Sequence, residues 1–208
     1  MNVETIVVGA FDSNCYVAWH NTQEAIVIDP GSDADTILEF LESNRLTVAA
    51  YYLTHGHMDH VCAMMDIRRK MPAPVAVHPD EIEWMYSKWN QIPPFYPVPR
   101  RPDEGELFLA DSMELSHAGL HCRVIHTPGH TPGGVCFYFE NEKTIFTGDT
   151  LFAGSIGRTD FPMSDPQLMR QSLSRLAKLP PDTVIYSGHG PASSIAEEKR
   201  SNYFLQRG

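Results

Sequence analysis

Apolar and polar positions alternate along this chain in blocks that read as two rounds of strands followed by a helix. The runs VETIVVG (3–9), NCYVAWH (14–20) and AIVIDPG (25–31) each read as a short strand, two of them β-rich runs that end in turn residues. Ala34, Ile37, Leu38 and Leu41 then recur at helical spacing, with Ser32 as the expected N-cap and Asp35 as its capping-box partner. VAAYYLT (48–54) is continuously apolar, as a strand buried on both faces should be. A short helix over 61–70, stopping before Pro72, and a strand VAVH (75–78) complete the first round.

The pattern changes between Pro79 and Asp103, where five prolines and the aromatics Trp84, Tyr86, Trp89, Phe95 and Tyr96 crowd together. A helix to about Asn90 followed by an extended loop is expected there. The second round then runs through ELFLA (106–110), 112–128, GVCFYFE (134–140) and KTIFTGDT (143–150). A helix begins near Ser164, with Ser164 and Gln167 as its capping box and Met169, Leu173 and Leu176 on its apolar face. The strand TVIYSGHG (183–190) precedes a polar C-terminal helix or tail. No fixed-period repeat or low-complexity linker interrupts the order. It predicts one α/β domain over residues 1–208, two layered halves with helices outside and an aromatic, proline-rich insertion at about 79–103.

Composition narrows the field of functions. With 42% hydrophobic residues the chain can build an ordinary core, and its net charge of -10 disfavours a nucleic-acid partner. No apolar run approaches the ~18 residues of a membrane span, and the N-terminus lacks a signal-peptide pattern. A cytoplasmic address is therefore expected. Cys15, Cys62, Cys122 and Cys136 form no CxxC pair and read as free thiols in a reducing compartment.

The chemistry stands at strand ends. THGHMDH follows VAAYYL, TPGHTPGG follows CRVI, TGDT follows KTIF and SGHG follows TVIY. Each cluster carries glycine, which lets the backbone turn sharply beside a ligand. Loops leaving one edge of a sheet converge, and α/β proteins place ligands there. His55, His57, Asp59, His60, His130, Asp149 and His189 are thus expected to meet in space. Crowded without a cation, five imidazoles and two carboxylates face desolvation and repulsion of about several kcal/mol. Imidazole and carboxylate suit zinc, with iron or manganese as alternatives. Seven ligands exceed one tetrahedral zinc and fit two metals roughly 3.5–4 Å apart, bridged by a carboxylate. His20, His78, His117, His121 and His126 lack a matching partner motif and are read as structural.

With these motifs in place, the sequence resembles the metallo-β-lactamase superfamily. THGHMDH matches its HxHxDH signature, and His130, Asp149 and His189 match its later ligand positions in order. The resemblance runs from IVIDPG through SGHGP and implies a four-layer αββα sandwich with two Zn²⁺ along one edge. It assigns His55, His57 and His130 to one metal, Asp59, His60 and His189 to the other, and Asp149 to the bridge. Within the superfamily, GDTLFAGSIGRTDFP (148–162) looks like the glyoxalase II-like branch, whose members hydrolyse thioesters such as hydroxyacylglutathiones. Persulfide dioxygenases carry a similar GRTDF stretch and use a single iron. The secreted β-lactamases fit less well.

Full-length glyoxalase II continues into a helical domain that helps bind glutathione, whereas 19 residues follow His189 here. Short glyoxalase II-like hydrolases, whose tails resemble EEKRSNYFL (197–205), are the closer match. The expectation is a binuclear thioester hydrolase acting on S-lactoylglutathione-like small molecules through a metal-bridging hydroxide. Asp59 both ligates and orients the nucleophile, and the chain is expected to act as a monomer or small homo-oligomer. A mononuclear iron persulfide dioxygenase is the alternative, and a metal-bound binding module is a third. Arg158 and Asp160 are expected to brace the loop beneath the site. Trp84, Trp89, Phe95 and Tyr96 are expected either to pack against the sandwich or to wall a substrate pocket.

Overall fold

The first sheet is built from β1 (Asn2–Val8), β2 (Ser13–Trp19), β3 (Glu24–Ile28), β4 (Thr47–Tyr52), β5 (Val75–Val77) and β6 (Glu106–Phe108), hydrogen-bonded in that order. β1, β2 and β3 pair antiparallel, and β3 to β6 run parallel. The second sheet contains β7 (Glu114–His117), β8 (Leu120–His126), β9 (Val135–Phe139) and β10 (Thr144–Gly148), in antiparallel succession. A small hairpin, β11 (Leu151–Phe152) with β12 (Ser155–Ile156), follows. β13 (Val184–Ser187) then returns parallel to β10, and β14 (Ser193–Ser194) closes the edge. These coordinates are a computed structural model describing residues 1–206.

Three apolar layers hold the sheets and helices together. Helices α1 (Ala34–Ser43), α2 (Met58–Val61) and α3 (Met64–Lys70) lay Ile37, Leu41, Val61, Met64 and Ile67 on the outer face of the first sheet. Between the sheets, Tyr16, Ile26, Ile28 and Tyr52 meet Leu115, Val124, Phe137 and Phe146. A short helix, α4 (Ile82–Met85), precedes the second sheet. On that sheet's outer face, α5 (Pro166–Leu176) and α6 (Ile195–Ser201) bury Met169, Leu173, Leu176 and Ile195 against Cys136, Tyr138 and Ile185. A final turn, α7 (Tyr203–Gln206), packs beside α5. Alternating strand residues serve two layers, which is why β2 to β4 are apolar on both faces. The result is the αββα sandwich expected from the sequence.

Local details differ from the sequence reading for identifiable reasons. Asp33, not Ser32, is the N-cap residue of α1, and its carboxylate accepts from Gly9 N instead of capping the helix. The cap of α5 is Asp165, whose Oδ1 accepts from Gln167 N and Leu168 N at 2.7 and 3.0 Å. Ser164 instead donates to the carbonyl of His130. The expected 61–70 helix starts earlier and breaks, because Ala63 N bonds Pro30 O outside the helix. The helix expected to reach Asn90 ends at Met85, whose carbonyl accepts from the Asn90 side-chain amide at 2.7 Å. All four cysteines are free thiols, and burial pushes Cys122 and Cys136 up to about 12. Among the described residues no helix is long and apolar enough to cross a membrane.

Candidate metal centre

Strand direction decides where the polar loops emerge. β3 and β4 are parallel, and β8, β10 and β13 share one direction through their pairings. Their C-terminal ends lie along one edge of the sandwich, where Asn14 N bonds Gly188 O at 2.7 Å and Val135 N bonds Thr54 O at 2.8 Å across the two sheets. All seven residues singled out in the sequence gather at this edge, with the six histidine and aspartate donors other than Asp149 falling into two groups. One is His55, His57 and His130; the other is Asp59, His60 and His189.

Outward partners fix which ring nitrogen faces inward. The Thr54 hydroxyl donates to Asp29 Oδ2 at 2.5 Å, so it accepts from His55 Nδ1 at 3.0 Å. His130 Nδ1 donates to the carbonyl of Arg158 at 2.8 Å, and His189 Nδ1 to that of Phe11 at 3.1 Å. His60 Nδ1 faces Asp29 Oδ2 at 3.2 Å. Each anchored ring therefore turns an Nε2 lone pair inward, the tautomer a metal requires.

The inward atoms are crowded. His60 and His189 Nε2 are 3.3 Å apart, and His130 Nε2 is 3.0 Å from His57 Nδ1. Asp149 stands between the groups, its Oδ2 3.5 Å from His130 Nε2 and 3.6 Å from His189 Nε2. Asp149 Oδ1 and His55 Nε2 are buried without a hydrogen-bond partner among the described residues. Lone pairs aimed at one another and two orphaned acceptors are costly unless a cation lies among them. The donor set therefore suits divalent metal ions.

Electrostatics divide the two groups of donors. Burial lowers His55 and His57, the latter to about 3, with neighbouring imidazoles adding to the effect, so both are neutral lone-pair donors. Burial also opposes charge on His60, but Asp59 and Asp149 outweigh it and raise its pKa. For Asp59, burial is outweighed by His60 and His189, which hold the carboxyl well below the usual carboxylate range.

Several supports were invisible in the sequence. Asp29 follows β3 as the other clusters follow their strands, and it binds Thr54 N, Thr54 Oγ1 and His60 together. Its place in IVIDPG, at a strand end before Pro-Gly, was the available signal. Ser13 donates to Asp59 Oδ2 at 2.8 Å. Glu81 is fully buried and accepts from Gly56 N at 2.6 Å and Gly133 N at 2.7 Å, tying the turns that carry His57 and His130. Asn90 clamps Gly56 O and Met58 N. Close approach explains Gly188, where a Cβ would sit 2.1 Å from Asp149 Oδ1.

A cleft of about 800 Å³ opens over the donors and is lined by His57, Asp59, His130, Asp149 and His189. Trp84 and Trp89 line it as expected, but Phe95 and Tyr96 do not; Tyr96 is buried and its hydroxyl accepts from Phe11 N. Arg158 and Asp160 pair with each other at the surface, and it is the Arg158 carbonyl that braces His130.

A two-sheet sandwich with a histidine-aspartate cluster at its strand ends has the makings of a metal-dependent enzyme. The chain belongs to the metallo-β-lactamase superfamily, whose family model matches residues 8–189. It is 35% identical to the hydroxyacylglutathione hydrolase GloC of Haemophilus influenzae, with 99% of this chain and 98% of that protein covered. It is 31% identical to the probable metallo-hydrolase YqgX of Bacillus subtilis, over 95% of this chain and 94% of that one. Among solved structures, the BLEG-1 B3 metallo-β-lactamase superposes with a TM-score of 0.92 at 34% identity, covering 98% and 99% of the two chains. TTHA1623 in a di-iron-bound form superposes at 0.84 with 33% identity, covering 97% and 99%. ETHE1 from Myxococcus xanthus does so at 0.79 with 27% identity, covering 98% of this chain and 84% of its own.

Proposed function

We propose that this protein is a metal-dependent thioester hydrolase of the hydroxyacylglutathione hydrolase kind, working at a two-metal site. The observation that carries the reading is the inward convergence of two donor triads with Asp149 between them. The likeness to GloC supports the substrate class. His55, His57 and His130 would hold one ion, Asp59, His60 and His189 the second, and Asp149 would contact both. Zinc fits these donors, and the di-iron neighbour makes iron a second candidate. When bound, such ions lower the pKa of water towards about 7 and polarise a carbonyl.

The chain's own residues set the geometry of the reaction. Asp59 is held too acidic to keep a proton, so it orients water rather than acting as a lasting base. Ser13 fixes the Asp59 carboxylate by donating to it. Water oxygen bonds to the acyl carbon as the carbon–sulfur bond breaks. The thiolate leaves and takes up one of the water's protons while the other passes to solvent, giving a carboxylate and a free thiol. A thiolate leaves readily, so no strong acid beside it is required.

The test is elemental analysis of the purified protein with an S-lactoylglutathione assay. About two metal ions per chain, turnover lost with chelator, and turnover lost in His57→Ala are expected. A second reading, a mononuclear iron persulfide dioxygenase, rests on the GRTDF stretch (157–161) similar to that branch. One iron per chain, oxygen consumption with glutathione persulfide and no thioester turnover would establish that reading instead.

A further inference from the structure

The cleft above the metal centre has a chemical character of its own. Its walls are Phe11, Trp84, Trp89, Ile92, Phe161 and Met163, contributed by three separate segments of the chain. Trp89 is 83% exposed, an unusual position for an indole. Of the eleven large hydrophobic residues exposed on the described chain, five line this one cleft. Apolar groups concentrated around a polar floor mark a binding site.

What the cleft lacks matters as much. Apart from the metal-centre residues, Arg158 is the one charged side chain among those lining it. Its guanidinium is engaged twice by Asp160, at 2.9 and 2.8 Å, and lies 4.3 Å from the Phe161 ring centroid. Lys88 sits over the Trp89 ring at 5.4 Å and is not among the lining side chains. The glutathione moiety carries two carboxylates, and recognising them calls for cations or fixed N–H donors. The cleft offers aromatic surface instead.

We infer that the cleft selects thioesters by an uncharged aromatic or branched aliphatic group seated against Trp89, Ile92, Phe161 and Met163, and not by the carboxylates of a peptide thiol. This rests on the thioester hydrolase reading and narrows its substrate. Hydrolysis consumes water and yields the apolar acid or thiol together with its polar counterpart, with no further reactant.

The experiment uses the metal-loaded protein and a matched set of thioesters. Lactoyl and phenylacetyl groups are each joined to glutathione and to N-acetylcysteamine, which is neutral. Phenylacetyl in place of lactoyl is expected to raise kcat/KM about 10-fold, mainly through KM, as burial of an aromatic ring should. Exchanging glutathione for N-acetylcysteamine should cost less than about threefold, since one such step is under 1 kcal/mol. In Trp89→Ala the phenylacetyl-to-lactoyl ratio should fall at least about threefold; at this exposed position the fold should survive, checked by circular dichroism. Binding is read separately from turnover, by quenching of tryptophan fluorescence with the non-hydrolysable thioethers S-phenethyl-N-acetylcysteamine and S-methylglutathione. The first should bind at least about 10-fold more tightly.

Preference for both glutathione compounds with an unchanged ratio in Trp89→Ala overturns the inference while leaving thioester hydrolysis standing. Thioether selectivity with no turnover of any thioester overturns the hydrolase reading and, with it, this assignment of substrate. The fluorescence result then still reports whether the cleft prefers apolar groups.

Discussion

Glu81 offers the sharpest test of how the metal loops are held. Its two carboxylate oxygens accept from Gly56 N and Gly133 N, 52 residues apart in the second case, in a fully buried setting. In Glu81→Gln one of these N–H groups meets an amide NH2 and loses its acceptor, a loss of about 1–3 kcal/mol. Glu81→Ala orphans both and adds a cavity, so about twice that is expected. At about 2–4 °C per kcal/mol for a chain of this size, Glu81→Gln should lower Tm by ~2–12 °C and Glu81→Ala by ~4–24 °C. Thermal unfolding followed by circular dichroism at pH 8, where the Glu81 carboxyl is ionised, reads both. The same variants should release metal to a competing chelator with affinity reduced about 10–100-fold, as for other groups that support ligands.

The pH dependence has a definite sign. Burial raises the Glu81 carboxyl from its usual range to about 7, against its hydrogen-bond donors. The folded state therefore binds a proton that the unfolded state gives up at lower pH. The stability this contributes is full below about pH 4.5 and is lost as pH rises through about 7. Glu81→Gln cannot titrate. In chelator-treated protein, the stability gap between wild type and Glu81→Gln should narrow steadily from pH 5 to pH 8. A Tm change below ~2 °C in both variants, or a gap that widens with pH, would refute the account of Glu81 as a tie between the two turns.

Other perturbations separate the parts of the site. Gly188→Ala places a Cβ 2.1 Å from Asp149 Oδ1 and 2.8 Å from His60 Cε1; elemental analysis should find less than about half the metal of the wild type. Asp29→Asn removes one of the acceptors shared by Thr54 and His60, and isothermal titration with zinc should show affinity reduced about 10–100-fold with the sandwich intact by circular dichroism. Asp165→Ala removes the cap of α5, which should lower Tm by ~2–4 °C while leaving metal content unchanged.

Much of this architecture was written locally. The strands were legible because most apolar runs are bounded by turn or polar residues, and the donors because each cluster sits just past such a run. Asp165 could have been read as the cap of α5, since Pro166 occupies the first helical position, where its missing N–H does no harm. Other features depend on partners far away in sequence. Nothing near Glu81 announces Gly133, and nothing near Asn90 announces Gly56. The break after α2 comes from Pro30, which captures Ala63 N across the fold. A single polar residue in a loop carries no pattern, so supports of this kind become visible only once the chain is folded.

The two sheets supply different halves of the candidate metal centre. The first donates the THGHMDH loop after β4 and Asp29 after β3; the second donates His130, Asp149 and His189 from the ends of β8, β10 and β13. Their relative position is set by the apolar layer between them, where Phe137 and Phe146 are fully buried, and by the cross-sheet bonds at Asn14 and Val135. None of those contacts needs a cation. The apolar layer and the cross-sheet bonds are thus complete without the donor side chains, so chelator-treated protein is expected to keep the sandwich; loss of the circular dichroism spectrum on chelation would refute this.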